Sequence, residues 1–336
     1  MGKNSAASKR LRHNVGLIGA FLFALNFLAL GSALGPSAQA GTPTLDSANS
    51  SPGAISASTS IIMTNLSGLD LAAGQFDSTF YVTMTCSASC DVNRWDILNT
   101  KSMKRELVFE DELTSSWLVS GTFTFSPDLS LFPFDTQKLP INIEHSFLDA
   151  DSLVFLADDE LSEVSADIKI SGWELEDYTI TSSTTSYPQL NENYSRVSFT
   201  VPLTRSTLAS VTKFYIPLSI FVLLGAATLV LARSDFQIRT GGTALVGLTI
   251  FYLASSGGVG FTGAFTVWDA SVLLAYLALG LVLTCGIVGA YLFHEGAYEG
   301  PEGEARAKRM RFRYLRILVG LVLFGAIAIA VTAIAT

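Results

Sequence analysis

Between residues 59 and 206 apolar and polar positions alternate in short runs. Phe76, Phe80, Val82 and Met84 fall near one face of residues 76–85. Trp117, Val119, Phe123 and Phe125 alternate with Leu118, Ser120, Thr122 and Thr124. Similar runs occupy 138–145, 172–182 and 193–203. Successive strand side chains point to opposite faces, so many short alternating runs split by Asp, Ser, Gly and Pro turns predict a β-sandwich. The pattern changes after Arg205. Three long apolar runs follow, at 213–232, 268–293 and 314–335, with a shorter one rich in Thr and Gly at 240–255. A membrane-crossing helix needs about 20 mostly apolar residues. The pattern thus predicts an all-β extracellular sandwich (59–206) followed by an all-α four-helix transmembrane bundle (207–336).

The loops set the orientation. Arg233 and Arg239 follow the first run, and Arg306, Lys308, Arg309, Arg311, Arg313 and Arg316 precede the last. Residues 256–267 contain no Lys or Arg. Basic loops stay cytoplasmic, which puts the sandwich and the C-terminus outside a multi-pass plasma (cytoplasmic) membrane protein. The N-terminus agrees. Lys3, Lys9, Arg10 and Arg12 precede an apolar run at 15–34, then Ala38-Gln39-Ala40. This reads as a signal peptide over 1–40, or alternatively as an uncleaved anchor. Residues 41–58, rich in Ser, Ala and Pro, read as a flexible lead-in.

Composition sharpens this picture. Of 336 residues, 49% are hydrophobic and 15% charged, against roughly 25% charged in soluble domains. The formal net charge is −8, which argues against a nucleic-acid partner. Its distribution is uneven: 41–205 hold 23 acids against 8 bases, a net of −15, whereas 206–336 hold 6 against 9, a net of +3. Three histidines and no P-loop, nucleophile elbow, zinc or dinucleotide motif leave no sign of an enzyme, a cofactor or a resident metal. Cys86 and Cys90, in an oxidising compartment, either pair as a disulfide or bind a metal with Asp91.

The most distinctive string is Leu131-Phe132-Pro133-Phe134-Asp135-Thr136-Gln137, at the entrance to an alternating strand. Taken alone it is equally a plain turn. Ser171-Gly172-Trp173, Val201-Pro202-Leu203-Thr204-Arg205 and Lys213-Phe214-Tyr215-Ile216-Pro217-Leu218 follow in order. This ordered set resembles the pentameric ligand-gated ion channels, the Cys-loop receptor superfamily. Phe125 and Leu139 stand where the naming cysteines would be, as in prokaryotic members. The resemblance covers about residues 59 to 336.

Several expectations follow from the resemblance. The chain would be a subunit of a homopentamer in membrane lipid, passing inorganic ions in response to a small agonist or protons. The segment containing Thr243-Ala244-Leu245 would line the pore, and Asp269 would open the third span. Phe132, Pro133, Phe134, Asp135, Arg205 and Asp269 would couple the sandwich to the membrane, Asp135 pairing with Arg205 or both being independent surface charges. Agonist would bind under a hairpin near Tyr187 and Tyr194, whose rings could hold a cation or simply pack. On a helix, Arg239, Thr243, Val246, Ile250 and Leu253 are spaced 4, 3, 4 and 3 and share one stripe. That stripe either faces a pore, closing by dewetting at its apolar end, or packs against neighbouring helices. Selectivity is contested, since an acidic ring at Asp235 favours cations and a basic ring at Arg239 favours anions. The rival function is a non-conducting membrane receptor or scaffold subunit of the same fold.

Overall fold

A computed structural model describes residues 53–91, 93–231, 234–257, 265–295 and 300–335. The expected signal peptide and most of the lead-in lie outside the described residues, as does most of the connection at 256–267. The chain divides into two compact units: the strands form one, and the helices together with Leu129–Asp135 form the other.

The sheet unit holds eleven strands among the described residues: β1 (Ile55–Asp70), β2 (Gln75–Cys86), β3 (Trp95–Ile97), β4 (Thr100–Glu110), β5 (Thr114–Thr124), β6 (Thr136–His145), β7 (Leu153–Ala157), β8 (Glu163–Val164), β9 (Trp173–Leu175), β10 (Thr179–Tyr187) and β11 (Glu192–Arg205). One sheet runs β4-β5-β2-β1-β7, with β8 on β1; the other runs β10-β11-β6-β3, with β9 on β11. The alternation forces this arrangement. Phe76 pairs with Phe123 and Phe80 with Val119 across β2 and β5, and all four are fully buried. From the second sheet Leu139, Ile141 and Ile143 of β6 and Val197, Phe199 and Val201 of β11 are likewise fully buried. Hydrogen bonds join the sheets: Phe155 N donates to Ser195 Oγ at 2.8 Å and Ala157 N to Ser182 Oγ at 2.6 Å. The result is a sandwich-like pair of sheets.

Two details differ from the sequence expectation. β1 begins at Ile55, inside the expected lead-in, because Ile55 and Ala57 pair in parallel with Leu153 and Phe155 of β7. β4 escaped notice because its charges break the alternation; it is an edge strand, exposed along most of its length and held by β5 alone. Cys86 and Cys90 are joined by a disulfide just after β2.

The helical unit opens with a short helix α1 (Thr207–Ser210), a π-turn (Val211–Tyr215) and helix α2 (Ile216–Leu231). The widened turn includes Lys213, whose carbonyl would clash with the ring of Pro217 in a regular helix. Then come α3 (Ser234–Ser256), α4 (Val267–His294) and α5 (Gly300–Ala335). Three helical stretches are long and apolar enough to cross a membrane: Thr207–Val230, Val267–His294 and Gly300–Ile329. The α3 segment is a helix of 23 residues but is not among them. Asp235, Arg239 and its Thr and Gly residues lower its hydropathy. Close packing replaces bulk there. A Cβ on Gly286 of α4 would lie 2.9 Å from Ile238 Cγ1 of α3, and one on Gly247 of α3 would lie 2.8 Å from Phe221 Cε1 of α2. Small residues let helices approach closely in lipid, where packing drives association.

The Phe123 ring meets Phe76 and Phe80 at 5.6 and 5.5 Å. Replacing Phe123 with Ala is expected to destabilise the sheet unit by about 3–5 kcal/mol, read as an earlier midpoint in denaturant unfolding followed by tryptophan fluorescence.

Candidate functional site

Leu129–Asp135 leaves β5 and returns to β6 as a closed lobe. Its neck is fixed by Gln137, whose Oε1 accepts from Asp128 N at 3.1 Å and whose Nε2 donates to Asp128 O at 2.7 Å. The lobe belongs to the helical unit, and its backbone bonds say why. Val267 N donates to Ser130 O at 3.2 Å and Trp268 N to Phe132 O at 3.0 Å. These are N–H groups of the first turn of α4, which no carbonyl within the helix can satisfy. Ser210 Oγ donates to Pro133 O at 2.6 Å. The Phe132–Pro133 peptide is cis.

Side chains reinforce the attachment. Phe132 meets Phe214 edge-on at 5.2 Å, and Phe134 stacks on Tyr215 at 5.5 Å. Phe214, Tyr215 and Phe251 all meet the Trp268 ring, at 5.2, 5.9 and 5.8 Å. Next in sequence, Asp269 completes a capping box with Thr266 at the start of α4, and its Oδ1 accepts from Tyr252 of α3 at 2.7 Å. Phe132, Pro133, Phe134 and Asp269 are thus brought together around Trp268. Trp268, Phe214, Tyr215 and Ser210 were missed as site residues. Trp268 has no motif spacing; its only sequence signal is its place beside Asp269. Asp135 ends the lobe, buried. Arg205, in the sheet unit, lies with its guanidinium 4.2 Å over the Trp173 ring.

The five stripe residues of α3 share one outward face. Arg239, Thr243, Val246, Ile250 and Leu253 are all exposed, as is Asp235. Gln237, Gly241, Ala244 and Leu248 are buried on the opposite side. Val246, Ile250 and Leu253 are 62%, 63% and 59% exposed. Packing against the chain's own helices is therefore not what the stripe does. Its apolar and polar ends also separate, Asp235, Arg239 and Thr243 preceding the three aliphatic positions.

In the sheet unit, Tyr187 and Tyr194 face each other across the β10–β11 hairpin, rings at 5.7 Å and nearly perpendicular. They converge on groups the sequence did not single out. Tyr187 Oη donates to Glu144 Oε2 at 3.0 Å, and Tyr194 Oη donates to Glu192 Oε2 at 2.7 Å. Glu144 is buried and paired with Arg196, whose Nε and Nη2 both lie 2.6 Å from Glu144 Oε1. Arg196 Nη2 also donates to Tyr187 Oη at 3.3 Å. The hairpin thus already holds a cation of its own. A ligand amine would compete with Arg196 for Glu144, and a ligand carboxylate would compete with Glu144 for Arg196. One signal was available: Glu144 is a charge within the alternating run 138–145, on the face opposite Leu139, Ile141 and Ile143.

Burial first, and then the bond to Glu144, push the Tyr187 phenol above its ordinary value of 10; the bond to Glu192 does the same for Tyr194. Among the described residues no group of three or more His, Cys, Asp or Glu could hold a metal ion. No protein-family model matches the chain, and no curated protein matches it.

A phenolate beside a carboxylate is disfavoured, so removing that charge should ease ionisation. In Glu144→Gln, Tyr187 is expected to ionise at lower pH than in the parent, measured as the 295 nm absorbance lost on adding Tyr187→Phe to each. The stability linked to both raised tyrosines is full below about pH 10 and declines as pH rises beyond it.

Proposed function

We propose that the chain is one subunit of a ring-shaped, stimulus-gated ion channel, with α3 as a fourth membrane-crossing helix that lines the pore. The observation that carries the reading is the outward stripe of α3. The helix is not among the three stretches apolar enough to cross by hydropathy, yet it turns a continuous face away from its own chain. A helix in lipid on all free sides would not place Asp235 and Arg239 there without cost. Around an axis shared by several copies, the same face meets water at its polar end. Val246, Ile250 and Leu253 then form apolar rings that close by dewetting. At about 1.5 Å per residue, 23 residues are long enough to cross.

Five copies form the ring, in accord with the ordered motifs described above. The sheet unit is the extracytoplasmic sensor. Its surplus of acids over bases draws small cations, and with Asp235 this favours inorganic cations as the permeant ions; Arg239 favours anions. The stimulus is a proton or a small amine, with the Tyr187–Tyr194 hairpin as the amine's place. Phe132, Pro133, Phe134 and Asp135 of the lobe, which is continuous in sequence with β5 and β6, pass the stimulus to Trp268 and Asp269. From there the Asp269–Tyr252 bond passes it to α3.

A second reading is a non-conducting receptor or scaffold of the same fold. The specific observation in its favour is Arg239, a fixed positive charge on the outward stripe. Two measurements separate the readings. The detergent-purified particle should have the mass of five chains by native mass spectrometry, and a monomer persisting in lipid nanodiscs overturns the ring. Val246→Ser and Ile250→Ser should wet the closed constriction and raise resting current at least tenfold in proteoliposomes. No change in current from a confirmed ring favours the scaffold.

A further inference from the structure

Residues 86–95 carry the chain from the end of β2 in one sheet to β3 in the other, and a disulfide sits at the start of that crossing. Cys86 and Cys90 are four residues apart, and so short a closed loop restrains the unfolded chain least. The bond also joins no two strands. What it does is hold Cys90 to the end of β2, where Cys86 N donates to Leu113 O at 2.8 Å and Ser87 N donates to Ser56 O at 2.8 Å. Asp91 follows Cys90 directly and is placed by it.

Asp91 in turn holds a turn of the second sheet. His145 ends β6 and is buried. Its Nδ1 lies 3.2 Å from Phe147 N and 2.7 Å from Leu148 N, both donors. That nitrogen therefore carries the lone pair, and Nε2–H donates to Asp91 O at 2.9 Å. The Asp91 carboxylate lies 3.3 Å from Arg94 Nε, and the Arg94 guanidinium lies 5.5 Å over the Phe147 ring. The imidazole and the guanidinium that hold Phe147 thus both run back to Asp91. Ser146 is tied separately, its N donating to Arg94 O at 2.8 Å and its Oγ to Asp96 Oδ2 of β3 at 2.7 Å.

We infer that Cys86–Cys90 is a reducible switch, opened by a dithiol reductant, that sets the order of the Phe147–Leu148 turn. Access favours one sulfur. Cys90 is partly exposed beside the exposed small residues Ser87, Ala88 and Ser89, whereas Cys86 is buried. A thiolate of the reductant attacks Cys90 Sγ, the disulfide breaks, and Cys86 leaves as a thiolate. The reductant's second thiolate then closes on its own sulfur and releases Cys90. Both cysteine thiolates take up protons, so the dithiol gives up two electrons and two protons and ends as a disulfide. With Cys90 free, Asp91 loses its anchor and the imidazole loses a fixed acceptor. The turn loosens while Ser146 stays with β3. All of this lies in the sheet unit and stands whether or not the chain conducts ions. Beyond the turn, Ala150 N donates to Asn193 O at 2.7 Å, beside Tyr194; that the switch regulates the Tyr187–Tyr194 hairpin rests on the function proposed above.

The test uses the full chain in detergent, oxidised and after treatment with excess dithiothreitol. Cys285, the remaining cysteine, is already a free thiol, so the reductant acts on this bond alone. Alkylation and peptide mass spectrometry should show Cys86 and Cys90 reduced without denaturant. Hydrogen exchange in peptides spanning 145–150 should quicken by about tenfold on reduction, while peptides of β5 and β11 keep their protection. Cys86→Ser combined with Cys90→Ser should exchange at the fast rate with or without dithiothreitol. The inference is overturned by a bond that resists dithiothreitol until the chain is denatured, or by unchanged exchange at 145–150 in the reduced chain. Protection lost throughout both sheets overturns it too, since the bond is then a structural staple, as does slow exchange in the double variant. If that variant is not obtained folded, the reduced parent decides alone. No reading depends on current, so failure of the switch and failure of the channel reading are separate results.

Discussion

Trp268 sits under three aromatic rings, from Phe214, Tyr215 and Phe251, and gives its backbone N–H to Phe132. Four separate stretches of chain meet at that residue: the π-turn and α3 on its ring, the lobe on its backbone, and α4, which carries it. Remove it and each loses its common neighbour. The reason the lobe can join them is electrostatic as well as apolar. The first N–H groups of α4 have no partner inside the helix, and the carbonyls of Ser130 and Phe132 supply one. A segment that lies in sequence between two strands is thereby recruited to the helices.

Much of the architecture can be read from periodicity. The alternating runs at 76–85, 138–145 and 193–203 became β2, β6 and β11, since alternation is what a half-buried strand requires. Apolar runs became the helices for an equally direct reason. Where the reading fell short, tertiary pairing had overridden local pattern. The strand β4 has no alternation because neither of its faces is covered. The beginning of β1 looked like a polar lead-in because Ser and Thr on a strand can be buried when their backbone is paired.

The site was legible only in part, and for a similar reason. The lobe string and Asp269 were visible as strings; the residues that hold them were not. Trp268, Phe214 and Ser210 act through contacts between segments far apart in sequence. Glu144 and Arg196 are single charges on different strands, 52 residues apart, and nothing local announces that they form one ion pair beside Tyr187. On α3, by contrast, spacing alone defined a stripe. The structure then settled which way it points within the chain, because Gly241, Ala244 and Leu248 take the inner face.

The lobe has a practical corollary for anyone cutting the protein apart. It is spliced into the middle of the strand order, entering after β5 and leaving into β6, so no single cleavage point separates strands from helices. A fragment ending at Arg205 would still carry Phe132 and Phe134, now stripped of the rings that cover them. Such a fragment would bring a sticky aromatic patch into solution and invite self-association. A shorter, polar connector joining Asp128 to Thr136 would be the rational way to obtain the sheets as a soluble reagent.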